Sequence, residues 1–161
     1  MTMNHPATIR KPGEGHRIGI VGDVYRFLAT GEDTDGKYCT FEAIVPPGSG
    51  PPPHIHSREE ESFLVVEGEM TFQLGEDRIV ASAGTFLNMP VGSLHCFKNE
   101  SSKVARMLIS VAPAGLEKMF FEVGQPLADD QEMAPPPSPA DIEKLLAAAP
   151  RYGVEIKVPH G

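Results

Sequence analysis

The stretch "GSGPPPHIHSREEESFLVVEG" occupies residues 48–68. Three prolines hold the chain extended, because each ring locks φ and removes a donor. Two histidines follow, His54 and His56, one residue apart. In an extended segment residues i and i+2 leave the same face, so both imidazoles point one way. Three glutamates come next, then an apolar run that ends at Gly68. Two imidazoles and a nearby carboxylate on one surface are donors suited to a divalent first-row metal.

A second stretch, "GTFLNMPVGSLHCFKN", spans residues 84–99 and supplies a third imidazole, His95, on a separate predicted strand. The spacings are specific. Gly48, His54, His56, Glu61 and Gly68 form one series, and Gly84, Pro90, Gly92, His95 and Asn99 form the other. Together they resemble the two signature motifs of the cupin superfamily, with all ten fixed positions filled. The resemblance implies an all-β fold, a double-stranded β-helix or jelly-roll barrel. It also implies a site in which His54, His56, Glu61 and His95 ligate one transition metal. Fe, Mn, Ni, Co, Cu and Zn all suit such donors. The six-residue gap to Gly68 selects Glu61 among the three glutamates and leaves Glu59 and Glu60 as solvated neighbours. His5, His16 and His160 lie in irregular ends and are not expected to ligate. Thr85 departs from the family habit of an acidic residue after the glycine, but it is not a ligand position. The tail "PAGLEKMFFEVGQP" is similar to the ends of small cupins of the quercetin 2,3-dioxygenase type, and the gap between the motifs, residues 69–83, is short, as in compact cupins.

Composition bounds the rest. The chain has 161 residues and a net charge of −8, the wrong sign for a phosphate backbone, which argues against nucleic acid. No basic amphipathic stretch or long apolar run suggests a membrane. The first residues lack an apolar signal segment, so a cytoplasmic location is expected. Cys39 and Cys96 read as free, half-buried thiols. Sixteen glycines and sixteen prolines favour short strands over long helices. We expect one domain over 1–161, with a barrel over about 17–112 and a helical extension over about 113–161.

Strands are expected on either side of a turn in "RIGIVGDVYRFL", and in "YCTFEAIV", "FLVVEGEMTFQL", "TFLNM", "SLHCFK" and "VARMLISV". "TGEDTDGK" reads as a turn. "GLEKMFFEVG" has helical spacing, with Leu116, Met119, Phe120 and Val123 on one stripe. Ser138, Pro139 and Asp141 signal a second helix start. "YGVEIKV" adds a last strand. Period two places Phe63, Met70, Phe72, Phe97 and Met107 inside the barrel as an apolar substrate pocket, without an inward Arg or Lys for an anionic substrate.

Three functions fit these residues. The quercetinase resemblance implies a metal-dependent dioxygenase acting on an aromatic or enolisable small molecule, with Glu61 as ligand and catalytic base. A cyclase or isomerase would use the metal only as a Lewis acid. A non-catalytic cupin would bind a small ligand. The apolar helix stripe fits either a homodimer contact or a tail docked on its own barrel.

Overall fold

The computed structural model describes residues 5–157. Its strands are β1 (Arg17–Ile20), β2 (Asp23–Ala29), β3 (Cys39–Val45), β4 (His54–His56), β5 (Glu60–Glu67), β6 (Glu69–Leu74), β7 (Asp77–Ser82), β8 (Phe86–Met89), β9 (Leu94–Lys98), β10 (Ala105–Ala112), β11 (Gln125–Pro126) and β12 (Val154–Ile156). The helices are α1 (Gly31–Thr34), α2 (Leu116–Val123) and α3 (Pro139–Ala148), the last continuing into a 3₁₀ turn over Ala149–Tyr152. His160, set aside above as a non-ligand, lies outside the described residues.

Two antiparallel sheets face each other. One runs β11-β1-β2-β3-β10-β5-β8 and the other β12-β4-β9-β6-β7. This is the jelly-roll arrangement the motifs imply. Alternation decides which side chains enter: Ala105, Met107, Ile109 and Val111 of β10 are each 1 % exposed or less. Phe63 from one sheet meets Phe72 and Phe97 from the other, with ring centroids 5.2 and 6.0 Å away. Such edge-to-face aromatic pairs contribute beyond the area they bury.

The chain passes from the first sheet to the second at Gly68, between β5 and β6. Gly68 has φ +80°, and a Cβ there would lie 2.9 Å from the Val104 carbonyl oxygen, so only glycine fits. The last motif position, Asn99, is fully buried and ties loops together. Its Nδ2 donates to the Val45 and Lys103 carbonyls, and its Oδ1 accepts from Ser101. Its backbone carbonyl accepts from Gly48, and its amide donates to Ser49.

The tail docks on the barrel. Leu116, Met119, Phe120 and Val123 are buried, and Phe120 packs against Tyr25 at 5.1 Å and Phe41 at 5.6 Å. The helix stripe is therefore covered within the chain. Glu117, also buried, accepts from the Gly31 and Gly115 amides. At α3, Ser138 and Asp141 form the expected capping box. Two local expectations change. The 30–37 segment contains a helical turn, because Thr30 and Asp33 cap it reciprocally. Cys39 is fully buried rather than half-buried, since it sits on the inner face of β3.

Candidate metal centre

β4 delivers His54 and His56, the first inner position of β5 delivers Glu61, and β9 delivers His95. His54 stands directly opposite His95 in the β4–β9 ladder, so the two rings share a face with centroids 4.6 Å apart. The Pro90–Gly92 turn is pinned by the Gly92 amide, which donates to the His56 carbonyl. The donor atoms of His54, His56, Glu61 and His95 all lie within 4.8 Å of one another. Donors about 2.1 Å from one ion stand about 3–4.2 Å apart, so the cluster is close to that geometry.

The outer nitrogens show which atoms face inward. His54 Nδ1 lies 2.8 Å from the Pro52 carbonyl, and His95 Nδ1 lies 3.1 Å from the Ser93 carbonyl. A carbonyl only accepts, so each Nδ1 carries the proton and each Nε2 keeps a lone pair. The His95 Nε2 lone pair nonetheless sits 3.0 Å from Glu61 Oε1. His56 Nε2 lies 3.6 Å from the same oxygen and has no hydrogen-bond partner. A lone pair facing a carboxylate oxygen is unfavourable unless a proton or a metal cation lies between them. The residues therefore fit a divalent metal, and this is the orphaned buried chemistry such an ion would satisfy.

Burial and charge act on these groups in opposite directions. Burial pushes the His54 pKa down to about 4, against the pull of Glu61, so the ring is neutral and free to ligate. Burial also opposes the charged form of His56, but Glu61 and then Glu59 outweigh it and raise its pKa. Burial would raise Glu61, yet its contacts with His56 and His95 hold it well below the usual carboxylate range.

His54, His56 and Glu61 line a cavity of about 60 Å³. Pro51 and Pro52 of the first motif stretch line it, but its walls come largely from outside the motifs: Tyr25 from β2, Met119 and Phe120 from α2, Leu145 from α3, and Val154 and Ile156 from β12. No lysine or arginine is among the lining residues. Of the expected pocket residues, Phe97 lines this cavity. Phe63, Met70, Phe72 and Met107 are at most 1 % exposed and belong to the packed barrel core instead. Alternation places a side chain inside the barrel but says nothing of its height along the axis. Glu59 also departs from expectation. It is 5 % exposed rather than solvated, while Glu60 is exposed as expected. No spacing rule could have marked the tail residues as pocket walls. The one available signal was the apolar alternation of Val154 and Ile156.

Residues 41–111 match the cupin domain family, and this segment holds all four clustered donors. Over that segment the chain is similar to cupins in sequence, and its two facing sheets have the arrangement of that fold. It resembles quercetinases: it is 27 % identical over 118 residues to the quercetin 2,3-dioxygenase of Bacillus subtilis (strain 168). That alignment covers 73 % of this chain and 35 % of the relative, so the chain spans about a third of the relative's length. Among solved structures, an RmlC-like cupin from Shewanella frigidimarina superposes with a TM-score of 0.61 at 17 % identity, covering 72 % of this chain and 99 % of that one. A predicted oxalate decarboxylase from Thermotoga maritima gives a TM-score of 0.59 at 21 % identity, covering 65 % and 97 %. At these identities the likeness is one of fold.

Proposed function

We propose that the protein is a metal-dependent dioxygenase acting on a compact, apolar small molecule that is aromatic or can enolise. The observation that carries this reading is the cluster of three imidazoles and one carboxylate, of which His54, His56 and Glu61 line a cavity with apolar walls. The likeness to a quercetin 2,3-dioxygenase supports the reaction class. His54, His56, Glu61 and His95 would hold the ion. When bound, such a metal polarises a substrate oxygen and brings dioxygen within reach of it.

The chain's own residues do the rest. Phe97, Phe120, Ile109 and Ile156 exclude water and favour an uncharged ring or enol. Without a cationic side chain in the wall, a phosphorylated sugar would meet no bidentate partner. Glu61 stays ionised beside His95, so its first role is as ligand. It can take a proton from a substrate hydroxyl only by loosening that contact. Tyr25 adds a protic group to the wall. The cavity, about 60 Å³, lies far below the roughly 300–1,000 Å³ of drug-sized pockets. That size favours a β-diketone over a flavonol, unless the β12 and α3 wall shifts.

Elemental analysis followed by an oxygen electrode tests the reading. We expect about one transition-metal ion per chain and oxygen uptake with a β-diketone, weaker with a flavonol. Metal-loaded protein that turns over an enolisable compound without consuming oxygen would instead be a cyclase or isomerase. Tight ligand binding without turnover would make it a binding protein.

A further inference from the structure

Two of the three clustered imidazoles lean on backbone carbonyls through Nδ1. His56 does not. Its Nδ1 is buried and has no hydrogen-bond partner. The group facing it is the Glu59 carboxylate, whose Oε2 lies 3.8 Å away and is likewise buried without a partner. Glu59 itself is 5 % exposed, on the short connection between β4 and β5. Two orphaned polar atoms of opposite hydrogen-bonding character therefore face each other inside the protein. Each carries a desolvation cost that their pairing would remove.

We propose that Glu59 is the positioning residue for His56. Its carboxylate accepts the Nδ1 proton and so fixes the ring with the Nε2 lone pair aimed at the centre shared with His54, Glu61 and His95. The inference rests on the reading that these four residues hold a metal. The two nitrogens lie on opposite sides of an imidazole ring, so Glu59 sits behind His56 and supports it without joining the donor set. The gap of 3.8 Å is about 1 Å longer than a charge-assisted hydrogen bond. It closes when a cation draws the Nε2 lone pair inward and commits the proton to Nδ1. A carboxylate in this place also makes the ring a stronger donor than a neutral carbonyl would. The motif spacing marks Glu61, and Glu59 has stood beside it as one more acidic residue in a run of three.

The test uses the full chain, stripped of metal and titrated with cobalt(II) against a competing chelator. Glu59→Leu should weaken cobalt affinity by about 10–100-fold, the usual cost of losing such a support. Glu59→Gln should recover most of it, because the amide oxygen still accepts from Nδ1. In zinc-loaded wild type, imidazole nitrogen NMR should show the His56 proton on Nδ1, slow to exchange, and that proton should exchange fast in Glu59→Leu. Wild-type affinity and an unchanged His56 signal in Glu59→Leu would overturn the proposal. So would a Glu59→Gln protein as weak as Glu59→Leu, with both thermally destabilised, since the residue would then act through folding alone. Wild type that takes up no cobalt would defeat the metal reading itself, a result distinct from either.

Discussion

Ile156 stands directly across from His54 in the β12–β4 ladder, and Val154 stands across from His56. Directly paired residues share a face, so the C-terminal strand lays two aliphatic side chains beside two candidate ligands. Further contacts hold the strand there: Ser57 donates to the Gly153 carbonyl, and the Lys157 amide donates to the Pro53 carbonyl. Ile156→Ala should enlarge the cavity next to His54 while leaving the donors in place. We expect a stability loss of about 1–2 kcal/mol, below the cost of a fully buried site. Metal content should be unchanged, and oxygen uptake with bulkier diketones or flavonols should rise relative to the smallest substrate. An unaltered substrate ranking would mean that β12 does not set pocket size.

The four donors should not respond alike to removal. His54→Ala or His56→Ala breaks the pair supplied by one strand face and should empty the site. Glu61→Gln keeps the shape and an oxygen donor, so metal should partly remain. Turnover should nonetheless fall by about 10²–10⁴-fold if Glu61 also moves a proton. Metal content and oxygen uptake measured on the same preparations decide this. Near-native turnover per bound metal in Glu61→Gln would reduce the carboxylate to a structural role.

Tyr25 shares the cavity with Glu61. Burial, then the charges of Asp23 and Glu61, hold its pKa well above the ordinary value, so it stays a protonated donor at any working pH. Tyr25→Phe preserves the packing on Phe41 and Phe120. One lost hydrogen bond to substrate corresponds to about a tenfold fall in kcat/KM. Loss confined to KM would place the bond in substrate binding, and loss in kcat would place it at the reacting group. No change in either would leave Tyr25 as wall only.

Asp23 makes stability depend on pH. It is fully buried, and burial raises its pKa from 3.8 to about 7, against the lowering effect of the Ser49 hydroxyl that donates to it at 2.5 Å. The folded protein thus holds this proton more tightly than the unfolded chain does. The resulting stabilisation is complete below about pH 3.8 and is lost as pH rises through about 7. Its ceiling is on the order of 4 kcal/mol. Asp23→Asn has no charge to bury, so its melting temperature relative to wild type should climb by several degrees between pH 5 and pH 8. A difference that stays constant across this range would refute the assignment.

Much of the molecule was legible in its residues. The His54-x-His56 pair, Glu61 and His95 were readable because period-two geometry and motif spacing are local. The same applies to the capping box at Ser138 and to the strand alternation in β10. Tertiary structure alone decided what those residues face. Phe63, Met70, Phe72 and Met107 were rightly placed inside, yet only Phe97 of the expected set reaches the cavity, because alternation gives a side and not a depth. The cavity wall is completed by Tyr25, Met119, Phe120, Leu145, Val154 and Ile156, residues up to about a hundred positions from the donors. Glu59 and Glu60 are adjacent and chemically identical, but one is buried behind His56 and the other is in water. No local rule separates them, since burial is a property of what the rest of the chain packs against.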